Sequence, residues 1–200
     1  STRNIKDYTR LNQGDWWIYT DGYGHDVTVE INGFKIIKGI DIPIMKASDG
    51  SESHRNFDGT FLKIFGEAIH NNRYDIDLLY EPLISLGDDK LDVGKNYPNI
   101  FREVNSGTNN LSLLCRWDGL ENLILPKGTF NDCWKATEIG DVGEISRWYA
   151  RGIGQVQFEY RSQKIKLKNY GSGGLPSEIL STKSDNISRV LLTASSGQVL

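Results

Sequence analysis

Apolar and polar residues alternate with a period of two along much of this chain. His25 to Ile31 reads HDVTVEI, with Val27, Val29 and Ile31 on one side. That alternation predicts a half-buried β-strand. Trp16 to Thr20 predicts a short aromatic strand. Phe34 to Ala47 predicts one long or broken strand, with Pro43 marking an edge or a bulge. Further strands are expected over Thr60 to Ile69 (Gly66 at a bulge), Tyr74 to Tyr80, Ile100 to Val104, Leu111 to Trp117 and Ile165 to Tyr170. Between Leu123 and Tyr160, apolar runs are separated by Pro126-Lys127-Gly128, Gly140-Asp141-Val142-Gly143 and Gly152-Ile153-Gly154. This spacing predicts an antiparallel meander.

Asn32-Gly33 is the strongest short hairpin signal, because both residues tolerate positive φ. Ser48 to Gly59 (SDGSESHRNFDG) is polar and reads as a loop. No stretch shows sustained helical periodicity with caps, and only Pro176 to Leu180 suits a helical turn. The expected fold is all-β, a largely antiparallel β-barrel or half-barrel. Residues 1–170 form the expected single domain, with residues 1–12 as a loose N-terminal arm. Residues 171–200 read as a Gly/Ser-rich joint and tail, with one further strand at Ile187 to Thr193.

A weak internal repeat suggests two related sheet halves. Leu11-x-x-Gly14-x-x-Trp17 resembles Leu91-x-x-Gly94-x-x-Tyr97, Ile31-Asn32-Gly33 is echoed by Trp117-Asp118-Gly119, and Phe61 to Gly66 by Trp148 to Gly152.

Charge and composition narrow the function classes. The 200 residues carry a formal net charge of −3, which argues against a nucleic-acid partner. The densest basic run, Lys164 to Lys168, alternates with apolar residues as a solvated strand face would. The chain has no run of 18 apolar residues, so no helical membrane span is expected. It opens at Ser1 with no signal peptide, which leaves a removed export signal open.

Motifs for chemistry are sparse. There is no Gly-x-Ser-x-Gly elbow and no Gly-rich phosphate loop. His25, His54 and His70 are not spaced as metal ligands, so no metal is expected. The loops at Asp49 and Asp88-Asp89 read as solvated acids. Cys115 and Cys133 lie on neighbouring expected strands, where a single disulfide and two half-buried thiols are both open readings. Asp75 and Asp77 are the one carboxylate pair on a common strand face, about 7 Å apart. Their apolar neighbours point the other way, so a polar outer face is the favoured reading. The aromatic residues Trp16, Trp17, Tyr97, Trp117, Trp134, Trp148 and Tyr149 suit core filling, or else an aromatic-lined cavity. No catalytic, cofactor-binding or metal-binding residue is assigned, no ligand-binding residue is named, and no cofactor is expected.

Taken together, Leu11-x-x-Gly14-x-x-Trp17, Leu91-x-x-Gly94-x-x-Tyr97, Gly119-x-Glu121-x-Leu123-x-x-Pro126-x-Gly128-Thr129-Phe130 and Trp148-Tyr149-Ala150-x-Gly152-Ile153-Gly154-x-Val156 resemble a broad group of exported bacterial proteins of unknown function. Many of that group look like lipoproteins or periplasmic proteins. Their pattern reads V-x-G-x-E-x-V-x-x-P-A-G-T-F, then W-x-A-P-G-V-G-x-V-K. This chain departs from it at Trp117, Lys127, Arg151 and Gln157. The resemblance runs from about Leu11 to Tyr170. It implies an antiparallel barrel or half-barrel, periplasmic or anchored at the outer membrane, and brings no catalytic residues.

The function expected from all this is a non-enzymatic bacterial envelope protein that binds an apolar or lipid-like ligand. Two alternatives stand beside it. One is a scaffold that holds an envelope protein partner through a sheet edge or the C-terminal tail. The other is a hydrolase using Asp75 and Asp77.

Overall fold

The computed structural model describes residues 3–141 and 143–179. Twelve strands follow one another in it: β1 (Trp16–Thr20), β2 (Asp26–Ile37), β3 (Ile40–Ala47), β4 (Ser51–Phe57), β5 (Leu62–His70), β6 (Asp75–Gly87), β7 (Lys95–Glu103), β8 (Thr108–Leu125), β9 (Gly128–Gly140), β10 (Gly143–Ala150), β11 (Gly154–Tyr160) and β12 (Gln163–Gly171). Each strand pairs antiparallel with the next, and β12 pairs back onto β1, so the sheet is a closed barrel. Closure removes the open edges that a half-barrel would leave. The expected all-β antiparallel barrel is therefore what forms. Among the described residues the helical content is two 3-10 turns, Ile5–Tyr8 and Ser177–Ile179.

The alternation read from the sequence is the inside–outside alternation of the wall. Val27, Val29 and Ile31 are all buried, and Trp17 and Tyr19 beside them on β1 are buried too. The meander from β8 to β11 turns at the three Gly-containing segments named above.

Three expectations are corrected. Asn32-Gly33 does not turn the chain: β2 runs through it, with an irregularity in the β2–β3 register between Ile31 and Phe34. Gly33 uses its φ of 89° at this irregularity, and its N–H donates to the Gln13 side chain. The hairpin closes instead at Lys38-Gly39, where both residues have positive φ, as a two-residue turn matching the strand twist needs. The polar loop at Ser48 to Gly59 is largely strand β4, buried from Ser51 to Arg55. The loose arm is not loose: Ile5 and Tyr8 are 0% and 2% exposed. Apolar side chains at Ile5, Tyr8 and Leu11 give this segment a face to bury. The tail strand expected at 187–193 lies outside the described residues.

The wall has an outer layer in one place. Past Ile44, the β2–β3 hairpin leaves its ladder with β4 and lies over β5 and β6. Ile37 and Ile42 pack there on Phe65, Leu79 and Leu83. Lys35 reaches Asp77 at 2.6 Å and Lys38 reaches Glu81 at 3.6 Å. Both faces of β4 are thereby covered, which is why it shows no polar face to water.

The wall also has a seam. β6 and β7 share only the backbone pairs Tyr80↔Glu103 and Glu81↔Arg102. Beyond them the Asn99 side chain replaces the ladder. Its Oδ1 accepts from Ser85 N at 2.7 Å, and its Nδ2 donates to the carbonyls of Ser85, Tyr97 and Leu113 at 3.0, 3.0 and 3.2 Å.

Candidate functional site

One end of the barrel is crossed by the N-terminal segment. Its backbone meets two turns of that rim: in the β6–β7 connection Ile5 N–H donates to Asp88 O and Leu91 N–H to Arg3 O, and in the β10–β11 turn Gly152 N–H donates to Asp7 O. Lys6 Nζ donates to Gly59 O, and Arg151 pairs with Asp7 at 2.9 Å. Arg10 pairs with the buried Asp15 where the segment joins β1. The segment is therefore a cap strapped across one mouth.

Beneath the cap lies a recess of about 40 Å³, lined by Tyr8, Thr9, Arg10 and Leu11 of the cap and by wall residues including Trp17, Tyr19, Val29, Met45, Arg55, Leu62 and Tyr149. A liquid water occupies about 30 Å³, so the recess holds one or two waters in this closed form. Its apolar surface comes from Leu11, Trp17, Val29, Met45 and Leu62, its polar surface from Arg10, Arg55, three phenols and Gln155. Trp17 Nε1 donates to Ile153 O at 2.8 Å and Tyr19 Oη to Gln155 O at 2.9 Å, which fixes both rings against β11 and the turn before it.

Between two apolar clusters of the interior runs a buried polar layer. Arg147 Nε donates to Glu138 Oε1 at 3.0 Å, and Nη1 to Gln155 Oε1 at 3.2 Å. The Arg147 guanidinium lies 5.3 Å from the Phe158 ring centroid. Burial works to lower the Arg147 pKa, but Glu138, Tyr149 and Glu67 together outweigh it, so the charge is retained. Arg55 Nε donates to Ser53 Oγ at 2.7 Å. Tyr80 Oη donates to the buried Glu67 at 2.7 Å. Desolvation pushes the Tyr149 phenol up to about 12, so it is a neutral hydrogen-bonding group at physiological pH.

The aromatic residues divide between the two expected roles. Trp117, Trp134 and Tyr149 pack on one another in the core, whereas Trp17 and Tyr149 also face the recess. Asp75 and Asp77 lie outside the wall, far from the recess. Asp75 is 92% exposed and pairs with His70, and Asp77 pairs with Lys35. They line no cleft with the buried acids, so the hydrolase pair has no enclosed site. The cysteines are separate thiols, both buried. The β8–β9 register pairs Cys115 with Glu138 and Cys133 with Glu121, which places them several residues apart. Arg55 and Arg147 escaped the sequence reading because a charged residue in a strand ordinarily marks the solvent face. The signal that could have found the cap is the three-residue spacing of Ile5, Tyr8 and Leu11.

No protein-family profile matches the chain, and neither does any curated protein. Two solved structures are distantly similar. One is a candidate exported protein with a YmcC-like fold from Bacteroides fragilis, at 12% identity and a TM-score of 0.39, covering 82% of this chain and 99% of that one. The other is a candidate lipoprotein from Parabacteroides distasonis, at 12% identity and a TM-score of 0.38, covering 86% of this chain and 100% of that one. Likeness at this level carries no argument about this chain's activity.

Proposed function

We propose that this barrel is a non-enzymatic binding protein of the bacterial envelope, and that its ligand is an apolar or lipid-like small molecule admitted at the capped mouth. The observation that carries the reading is the composite lining of the recess. Its cover is a terminal segment held mainly by turn contacts, while its wall presents Trp17, Val29, Met45 and Leu62. The envelope location rests on the sequence pattern alone.

Size sets a condition on this reading. At about 40 Å³ the recess is far smaller than the several hundred Å³ of an ordinary ligand site, so the cap must lift. Returning Ile5 and Tyr8 to water costs on the order of 3–6 kcal/mol. A ligand chain recovers ~0.8 kcal/mol for each buried methylene, so roughly four to eight methylenes offset the cap. Short or strongly polar molecules do not meet that condition. A scaffold role through a sheet edge has less support, since every described strand is paired on both sides.

The test is native mass spectrometry of protein purified from its own host, together with titration by a fluorescent apolar dye. A co-purifying amphiphile is expected, as is tighter dye uptake by Tyr8→Ala. No bound molecule, and no dye uptake by either the wild type or Tyr8→Ala, would overturn the reading. Fractionation of host cells tests the envelope location.

A further inference from the structure

We infer that the cap is a built-in competitor of the ligand, and that an unbranched alkyl end of the ligand takes the socket that Ile5 fills between Gly87, Leu91 and Trp117. This rests on the binding reading above and adds where the chain ends and which residue sets its width.

The socket is shaped by a missing side chain. Gly87 closes β6, and a Cβ built there would lie 2.5 Å from Ile5 Cδ1 and 3.0 Å from Trp117 Nε1. Gly87 does not have the positive φ that favours glycine, so it is the space and not the backbone that calls for one. Leu91 Cδ2 stands 3.4 Å from the same point and closes the other side. The indole wall is fixed: Trp117 Nε1 donates to Leu86 O at 2.8 Å, and its ring packs on Trp134 and Tyr149. The Cγ1–Cδ1 tip of Ile5, fully buried, is what occupies this space when the cap is closed.

The socket adjoins the recess. Leu62 lines the recess and is the register partner of Gly87 across the β5–β6 ladder. Such partners have Cα atoms about 5 Å apart. Tyr8 and Tyr149 also line the recess and belong to the same apolar cluster as Ile5, and the Tyr149 and Trp117 rings are 5.4 Å apart. Ile5 and Tyr8 sit in one 3-10 turn, so they leave together when the cap lifts. Recess and socket then join into one apolar trough, from Trp17 and Met45 to Leu91 and Trp117. An unbranched alkyl end matches the width of the Ile5 tip that it replaces. A ring is wider than that tip and meets the Gly87 backbone and the fixed indole.

The experiment follows displacement of the apolar dye by dodecanol and by cyclododecanol, on the full chain. Dodecanol is expected to bind about tenfold tighter than its ring counterpart. Ile5→Ala weakens the competitor and should raise dodecanol affinity about tenfold. Adding Gly87→Ala should cancel that gain, because the new methyl fills the socket. In this double variant the methyl takes the space that the Ile5 tip gives up, and its melting profile, expected to match that of Ile5→Ala, guards against misfolding. Isotope-filtered NOEs then locate the chain: the dodecanol methyl should report the Leu91 methyls and the Trp117 indole N–H. Equal affinity for the two alcohols, a folded double variant that keeps the full gain, or NOEs confined to Val29 and Met45 would overturn the socket assignment while leaving the binding reading intact. Failure of both alcohols to displace the dye, or of the dye to bind any variant, would overturn both.

Discussion

Arg147 and Glu138 form an ion pair inside the barrel, with side chains 0% and 2% exposed and 3.0 Å between Nε and Oε1. Such a pair balances a large desolvation cost against its own attraction, so its two halves are worth little singly. Arg147→Met leaves a buried carboxylate with no counter-charge. We expect a loss of about 3–5 kcal/mol in urea unfolding. Arg147→Met combined with Glu138→Leu should recover most of that loss. A double variant as unstable as the single one would show that the pair does more than neutralise itself.

Asn99 tests the seam. Asn99→Leu removes the amide bridge across it, keeps the Arg102–Glu81 ion pair, and leaves both Ser85 backbone groups without their side-chain partner. At about 1–3 kcal/mol for each of these two unsatisfied groups, the total loss should be roughly 2–6 kcal/mol. Hydrogen exchange gives the specific reading: the Ser85 amide should lose protection well before amides of the β8–β9 hairpin.

The thiols should be silent in the folded state. Burial raises the Cys115 pKa well above its usual value, with Glu138 adding to the effect. Burial also lifts Cys133, to about 11. Only the thiolate reacts appreciably. Iodoacetamide at pH 8 should label neither residue until denaturant is added, and both should then label. Intact mass after air oxidation should show no intramolecular disulfide.

Acid stability should depend on the outer layer. The His54 hydrogen bond holds Glu52 below the usual glutamate value, against an opposing effect of burial. A depressed folded-state pKa stabilises above the unfolded value of about 4.3, and that contribution fades as pH falls through the lower folded value. The stability difference between wild type and Glu52→Gln should thus be largest above about pH 5 and shrink on further acidification. Denaturant midpoints measured from pH 7 down to pH 3 would follow it, and a constant difference would remove Glu52 from the acid response.

Much of the wall was legible in the sequence because turns and alternation are local signals. Pro126-Lys127-Gly128 and Gly152-Ile153-Gly154 lie where the meander reverses. β4 was not legible. Ser51, Ser53 and Arg55 are buried together with Glu52 and His54, so no apolar stripe betrays the strand. Asn32-Gly33 misled because positive φ serves an irregularity as well as it serves a turn. The repeat was legible in part: Gly14 and Gly94 both have positive φ just before β1 and β7, and their N–H groups donate to Ile31 and Trp117. The candidate site was the least legible, because its lining comes from strands distant in sequence and from a cap whose partners are far along the chain.

The pairing of β1 with β12 fixes an order of events during synthesis. Trp16-Trp17-Ile18-Tyr19-Thr20 leaves the ribosome early, yet one of its partners is Gln163–Gly171. At roughly 5–20 residues per second, that partner follows by something like 10–30 s. Through this interval an aromatic strand has one side unpaired, which is a template for wrong pairing with other chains. The cap cannot be strapped down sooner either, because Gly152 and Arg151 also come late. A nascent chain of this design benefits from a holding chaperone, and its refolding yield should fall steeply with protein concentration.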